Sequence, residues 1–226
     1  MDNIKLLRKV SPITYFIERV FYCLQYLSIA NLAFGTRTKI HNKYANKSDE
    51  EFAAASKKRS RQIDYYVIVF IFLELISLSI VSSTSTFINL LAVIIVIYRA
   101  IDIFQSVVNM NIFDQLRVTA SRGHKTATTE RALVLSVVNF IELAFCFSVL
   151  YYFTNIIPAD SPSKFDALYF SVIVQIGIGF SELQVKGNLK FILLIHFLYG
   201  FFYTLLIISR LVGLIPIFKS VFNNKE

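Results

Sequence analysis

The chain has 226 residues, 55% hydrophobic and 15% aromatic, with a mean hydropathy of +0.58 and a formal net charge of +8. That is too apolar for an ordinary water-soluble domain of this length and indicates an all-α integral membrane protein. The basic residues flank the apolar runs, where anionic headgroups lie, so the charge reads as orientation and lipid contact; no nucleic-acid partner is expected.

No removable signal peptide is expected, because residues 1–10 are charged throughout and the apolar stretch after them ends without a small-residue cleavage pattern. In residues 11–34, Ile13, Phe16, Ile17, Val20, Phe21 and Leu24 recur at helical spacing on one face. Thr14, Glu18, Arg19 and Gln25 interrupt the rest, which predicts an N-terminal amphipathic helix along the inner surface, starting at Ser11-Pro12. Residues 41–62 form a polar connector that becomes helical toward 50–61.

Four stretches are long and apolar enough to cross a bilayer, which takes about 20 residues: 65–83, 87–108, 132–157 and 189–215. The Ser/Thr turn at 82–86 makes the first two an antiparallel hairpin. Eight basic residues between 36 and 64, from Arg37 to Arg61, and Arg117, Arg122, Lys125 and Arg131 between the second and third spans place the N-terminus, the middle linker and the C-terminus in the cytoplasm. The expected organisation is therefore an N-terminal region (1–64), a helical hairpin (65–108), a cytoplasmic linker (109–131), a second two-span unit (132–215) and a cytoplasmic tail (216–226), in a plasma or cell inner membrane.

Within the spans, Glu74, Arg99, Asp102 and Glu142 are ionisable, and each costs about 2.5–3.5 kcal/mol there if uncompensated. Arg99 and Asp102 are three apart on one helical face, and an intramembrane charge network is expected. Span two carries a single basic residue where a voltage sensor would repeat them every third position. Cys23 and Cys146 lack the spacing of a metal or redox pair and read as small buried hydrophobes. No metal-ligand, nucleophile or phosphate-loop pattern occurs, so no catalytic residue, metal or cofactor is expected.

The segment 165–182 is too short and too Gly-rich at its end to span, yet too apolar for an exposed loop. Irregular backbone survives at membrane depth only when covered by protein or lining a water-filled cavity, so a short helix followed by a re-entrant strand between spans three and four is expected. This segment resembles the pore loop of two-span potassium channels and the wider ion-channel superfamily. Residues 166–172, Gln175, Ile178, Gly179, Phe180 and Leu183 coincide with the family pattern D-A-L-Y-F-S-V-V-T-Q-T-T-I-G-F-G-D-L. The fourth span, with Gly200 and the I-S-R-L run of Ile208, Ser209, Arg210 and Leu211, is similar to the family's inner helix.

The resemblance implies a homotetramer whose filter is Gly177, Ile178, Gly179, Phe180 and Ser181, with Glu182 at the outer mouth and K+ or Na+ as the permeant ion. It also implies a hinge at Gly200 and an inner gate over 206–214, including Leu206, Ser209 and Arg210. Two positions depart from the pattern: Gly177 stands where the family has Thr, and Ser181 where it has its second Gly. A Cβ resists the left-handed conformation by about 1–2 kcal/mol, so altered or weak selectivity is expected. A second register, matching 175–179 to T-V-G-Y-G, restores both glycines but shortens the pore helix. The alternative function is a membrane receptor or regulatory subunit that keeps the channel fold without conducting and recruits a cytoplasmic partner through its basic N-terminal region.

Overall fold

The computed structural model describes residues 11–36, 39, 43–44, 48–81, 85–109, 129–157, 162–178 and 189–214. Seven α-helices order this part of the chain: α1 (Pro12–Leu24), α2 (Ile29–Phe34), α3 (Asp49–Ile80), α4 (Thr86–Val108), α5 (Thr129–Thr154), α6 (Lys164–Ile176) and α7 (Leu189–Leu214). No strand occurs among the described residues. Four helices are long and apolar enough to cross a membrane, with spans at Glu50–Ile80, Thr86–Val108, Leu133–Thr154 and Leu189–Ser209. The protein is an integral membrane protein, and its four predicted spans coincide with α3, α4, α5 and α7.

α3 begins where Ser48 accepts a hydrogen bond from the Glu51 N–H (3.3 Å), satisfying one of the open amides of the first turn. The polar connector and the first span are thus one helix of 32 residues, about 48 Å long at 1.5 Å per residue. A hydrocarbon core is about 30 Å thick, so the charged N-terminal third extends beyond it.

Contacts fix the directions. Arg131 at the start of α5 bonds the Ser60 carbonyl (2.8 Å) and the Asp64 carboxylate on α3, and further along Cys146 meets Glu74 (3.4 Å), so these helices run parallel. Tyr66 with Asp102 (2.9 Å) and Glu74 with Arg99 (3.9 Å) make α3 and α4 antiparallel, and Tyr151 with His196 (2.7 Å) together with the Phe140–Tyr203 ring pair does the same for α5 and α7. α5 lies at the centre, touching α3, α4, α6 and α7. Its Leu143, Cys146, Phe147, Val149 and Tyr151 form the main core with Val96 and Ala100 of α4, Phe170 and Val174 of α6 and Leu193 of α7. The outer faces of α3 and α7 stay apolar and exposed, as lipid or another subunit requires.

The stretch 11–34 differs from a single surface helix. Ser11 caps α1 as expected, but the chain passes through a 3₁₀ turn at Gln25–Leu27, and Ser28 is extended before α2. At 13 residues, α1 is about 20 Å long, too short to span. Glu18 of α1 and Gln25 of the turn are buried, whereas Ile13 and Phe16 are 74% and 68% exposed. The Asn109 amide donates to the Phe21 carbonyl (3.2 Å), and Phe21 packs on Phe104 (5.9 Å), so α1 lies against the end of α4. Cys23, expected to be buried, is exposed on this helix, while Cys146 is buried.

Candidate functional site

α6 is the element whose position is least ordinary. Its start is a capping box: Ser163 Oγ accepts from the Asp166 N–H (3.1 Å), and the Asp166 carboxylate accepts from the Ser163 N–H (2.8 Å) and hydroxyl (2.7 Å). These bonds hold the Asp166 carboxyl below its ordinary pKa. A depressed folded pKa means the contribution is present above the unfolded carboxylate pKa and is lost as pH falls through the folded value. Ser163→Ala is expected to lower stability by about 1 kcal/mol at neutral pH, and the deficit should shrink on acidification below pH about 4, as measured by thermal unfolding of the detergent-solubilised protein. An unchanged deficit at low pH would count against the cap.

α6 enters from the end of the bundle that holds Ile80, where Lys164 bonds the Ser79 carbonyl, and runs antiparallel to α5. Ser171 Oγ donates to the Ala144 carbonyl (2.8 Å) and Gln175 Nε2 to the Phe140 carbonyl (2.7 Å), so successive turns of α6 are fastened to successive turns of α5. Phe140 and Gly200 lie near the middle of α5 and α7, and α6 ends at that level.

The ending is a Schellman motif. The Gly177 N–H bonds the Val174 carbonyl (3.2 Å) and the Ile178 N–H the Ile173 carbonyl (3.1 Å), with Gly177 left-handed at φ 76°. A Cβ on Gly177 would be strained by that backbone and would meet the Phe197 ring at 3.2 Å. Gly200 permits a closer approach: a Cβ there would lie 2.4 Å from the Gln175 carbonyl oxygen.

A buried polar chain explains how α7 is held against this end. Gln175 uses its amide nitrogen on Phe140, so its oxygen faces His196 Nε2 (3.3 Å), which must then carry the proton. His196 Nδ1 is left to accept from the Tyr151 hydroxyl (2.7 Å), and the ring stacks on Phe147 at 3.8 Å. The chain Tyr151–His196–Gln175–Phe140 is thus satisfied with a neutral imidazole and joins α5, α6 and α7. The sequence signal for such a residue is a lone amide in an apolar run, as Gln175 is between Val174 and Ile176.

Glu74, Arg99, Asp102 and Glu142 meet at a second cluster. Arg99 Nη1 bonds Asp102 (2.9 Å), Nη2 bonds Glu142 (2.6 Å), and Nε lies 3.9 Å from Glu74. Tyr66 and Gln105 donate to Asp102 at 2.9 and 3.2 Å, and the Cys146 thiol lies 3.4 Å from Glu74. All four charged residues are at most 3% exposed, and they tie α3, α4 and α5 into one unit.

Of the expected filter, Gly177 and Ile178 stand directly after α6, and Ile178 is 61% exposed. Gly179, Phe180, Ser181 and Glu182 lie outside the described residues. Gln175 and Ile176, which the second register assigns to the filter, are helical residues of α6. Leu206 is half-buried against Ile103, Val107 and Tyr203, whereas Leu205, Ile208 and Ser209 are exposed on the other side of α7. Arg210 belongs to α7, and its side chain lies outside the described set.

Residues 139–215 match a protein-family model described as "Ion channel". This stretch, which contains most of α5 and all of α6 and α7, is thus similar to an ion-channel module. No curated protein and no solved structure matches the chain.

Proposed function

We propose that the protein is a homotetrameric channel for monovalent cations, with N- and C-termini in the cytoplasm and selectivity altered from that of potassium channels. The observation that carries this reading is α6: a capped helix, fastened by Ser171 and Gln175, that ends at the middle of the spans inside the stretch matching an ion-channel family. A chain with one such element supplies one quarter of a four-fold pore. Helix C-termini carry partial negative charge, so four copies of α6 aimed at an axis favour a cation there. The segment from Gly177 to Ser181 returns as a re-entrant filter of backbone carbonyls, with Glu182 at its mouth. The helical state of Gln175 and Ile176 supports the register that begins the filter at Gly177.

The exposed faces of α6 (Phe165, Tyr169, Val172, Ile176) and α7 (Phe201, Leu205, Ile208) meet neighbouring subunits and the pore, and bulky apolar residues of α7 close and dewet the inner gate. Charge asymmetry sets the orientation: the charged third of α3 faces the cytoplasm. α1 and α2 belong to the inner leaflet, with Ile13 and Phe16 toward acyl chains.

Purified protein is expected to run as a tetramer by native mass spectrometry and to pass K+ and Na+ in liposome flux assays, with Gly179→Ala changing the K+/Na+ flux ratio at least several-fold. A stable monomer would sink the proposal. Ser181 at the family's second glycine favours a second reading, a channel fold that does not conduct; an intact tetramer with silent flux is its signature.

A further inference from the structure

Between α2, α3 and residues Lys39, Lys43 and Tyr44 lies a cavity of about 360 Å³, of a size that takes a small ligand. One side is apolar, with Leu32 and Phe34; the other presents Lys39, Lys43, Lys58 and Arg59, and no acid is among the described residues that line it. Lys39, Lys43 and Lys58 gather positive charge around this hollow, which favours an anion there.

The cavity is also partly preorganised. The Arg59 guanidinium donates to the Gly35 carbonyl (2.9 Å) and to Asn31 Oδ1 (3.0 Å), which fixes it and ties α3 to the end of α2. The Lys39 N–H bonds Thr36 Oγ1 (3.2 Å), and Lys43 lies over the Tyr44 ring (5.8 Å).

Its depth is fixed by the same contacts. The Ile29 N–H bonds the Tyr98 hydroxyl within the second span (2.8 Å), so α2 starts at membrane depth and descends to Arg59. Arg59 lies on α3 six residues before Tyr65, which is 70% exposed and opens the apolar part of that helix. The cavity therefore sits at headgroup level, with its apolar wall toward the acyl chains and its cations toward water.

The geometry points to a binding site for an anionic phospholipid, the phosphate held by Lys39, Lys43, Lys58 and Arg59 and the chains lying against Leu32 and Phe34. A soluble phosphate compound would match the cations but leave the apolar wall unused. The site rests on the membrane placement of α3 and not on conduction, so a silent pore leaves it standing.

The test uses the full chain in detergent, titrated with phosphatidylglycerol, phosphatidylcholine and glycerol 3-phosphate and read by native mass spectrometry. Phosphatidylglycerol is expected to bind at least 10-fold tighter than either of the others. Headgroup-level lysines contribute about fivefold each, so Lys39→Gln/Lys43→Gln/Lys58→Gln should weaken phosphatidylglycerol binding by about 100-fold. Lys57→Gln/Arg61→Gln, which removes charge beside the cavity, should change it less than about fivefold. Equal losses in the two variants, or glycerol 3-phosphate binding as tightly as the lipid, would overturn the assignment. Arg59 is left intact because its bonds to Gly35 and Asn31 hold the site together.

Discussion

Arg99→Leu is expected to lower the stability of the protein by about 3–5 kcal/mol, the cost of breaking a buried ion cluster by removing one partner. The guanidinium is the cation that Asp102, Glu142 and Glu74 share, at 2.9, 2.6 and 3.9 Å, in a site that water does not reach. Without it, three carboxyls are left in a low-dielectric interior with Tyr66, Gln105 and Cys146 as their remaining polar neighbours. Arg99→Lys should lose less but still a measurable amount, because one ammonium does not reproduce the fork that bonds Asp102 and Glu142 at once. Adding Asp102→Asn and Glu142→Gln to Arg99→Leu should recover part of the loss, since those changes remove the stranded charges. Thermal unfolding followed by size exclusion in detergent checks the series, and an Arg99→Leu variant as stable as the parent would show that the cluster contributes nothing.

Gly200→Ala should abolish cation flux and lower stability by about 1–3 kcal/mol per subunit, the usual range for overpacking. The added Cβ would lie 2.4 Å from the Gln175 carbonyl oxygen, and a backbone atom at the end of a fastened helix does not swing aside as a side chain does. α6 must lift away from α7, which breaks the His196–Gln175 contact. Combining Gly200→Ala with Gln175→Ala should therefore not rescue, because trimming the side chain leaves the carbonyl in place. The hinge role implied by resemblance predicts something else: altered gating with unchanged melting. Melting temperature and flux measured on the same preparations separate the two.

Much of the architecture was legible beforehand. Runs of about 20 apolar residues have one outlet, so α3, α4, α5 and α7 could be counted from hydropathy alone. Ser11-Pro12 announced the start of α1, and the spacing of Arg99 and Asp102 put them on one face. The pore-loop resemblance marked α6, whose Asp166 turns out to close the capping box. What stayed hidden depended on neighbours. Nothing in residues 11–34 says that Glu18 and Gln25 turn inward while Ile13 and Phe16 turn out, because the periodicity identifies a face and not what covers it. The break at Gln25–Leu27, the exposed Cys23 and the half-buried Leu206 have the same origin.

Membrane residence, the number of helices able to cross, and the place of a stretch similar to ion channels could all be read from the residues alone. Those properties are sums over a segment and do not depend on partners. It took the folded packing to show that α6 stops at mid-span against Gly200, that Gln175 and His196 bind each other in a defined tautomer, and that Arg99 serves three acids from three helices. In lipid an apolar side chain is equally content facing protein or acyl chain, so hydropathy does not choose between them. The choice is made by the few polar groups that must find partners, and those partners are far away in sequence.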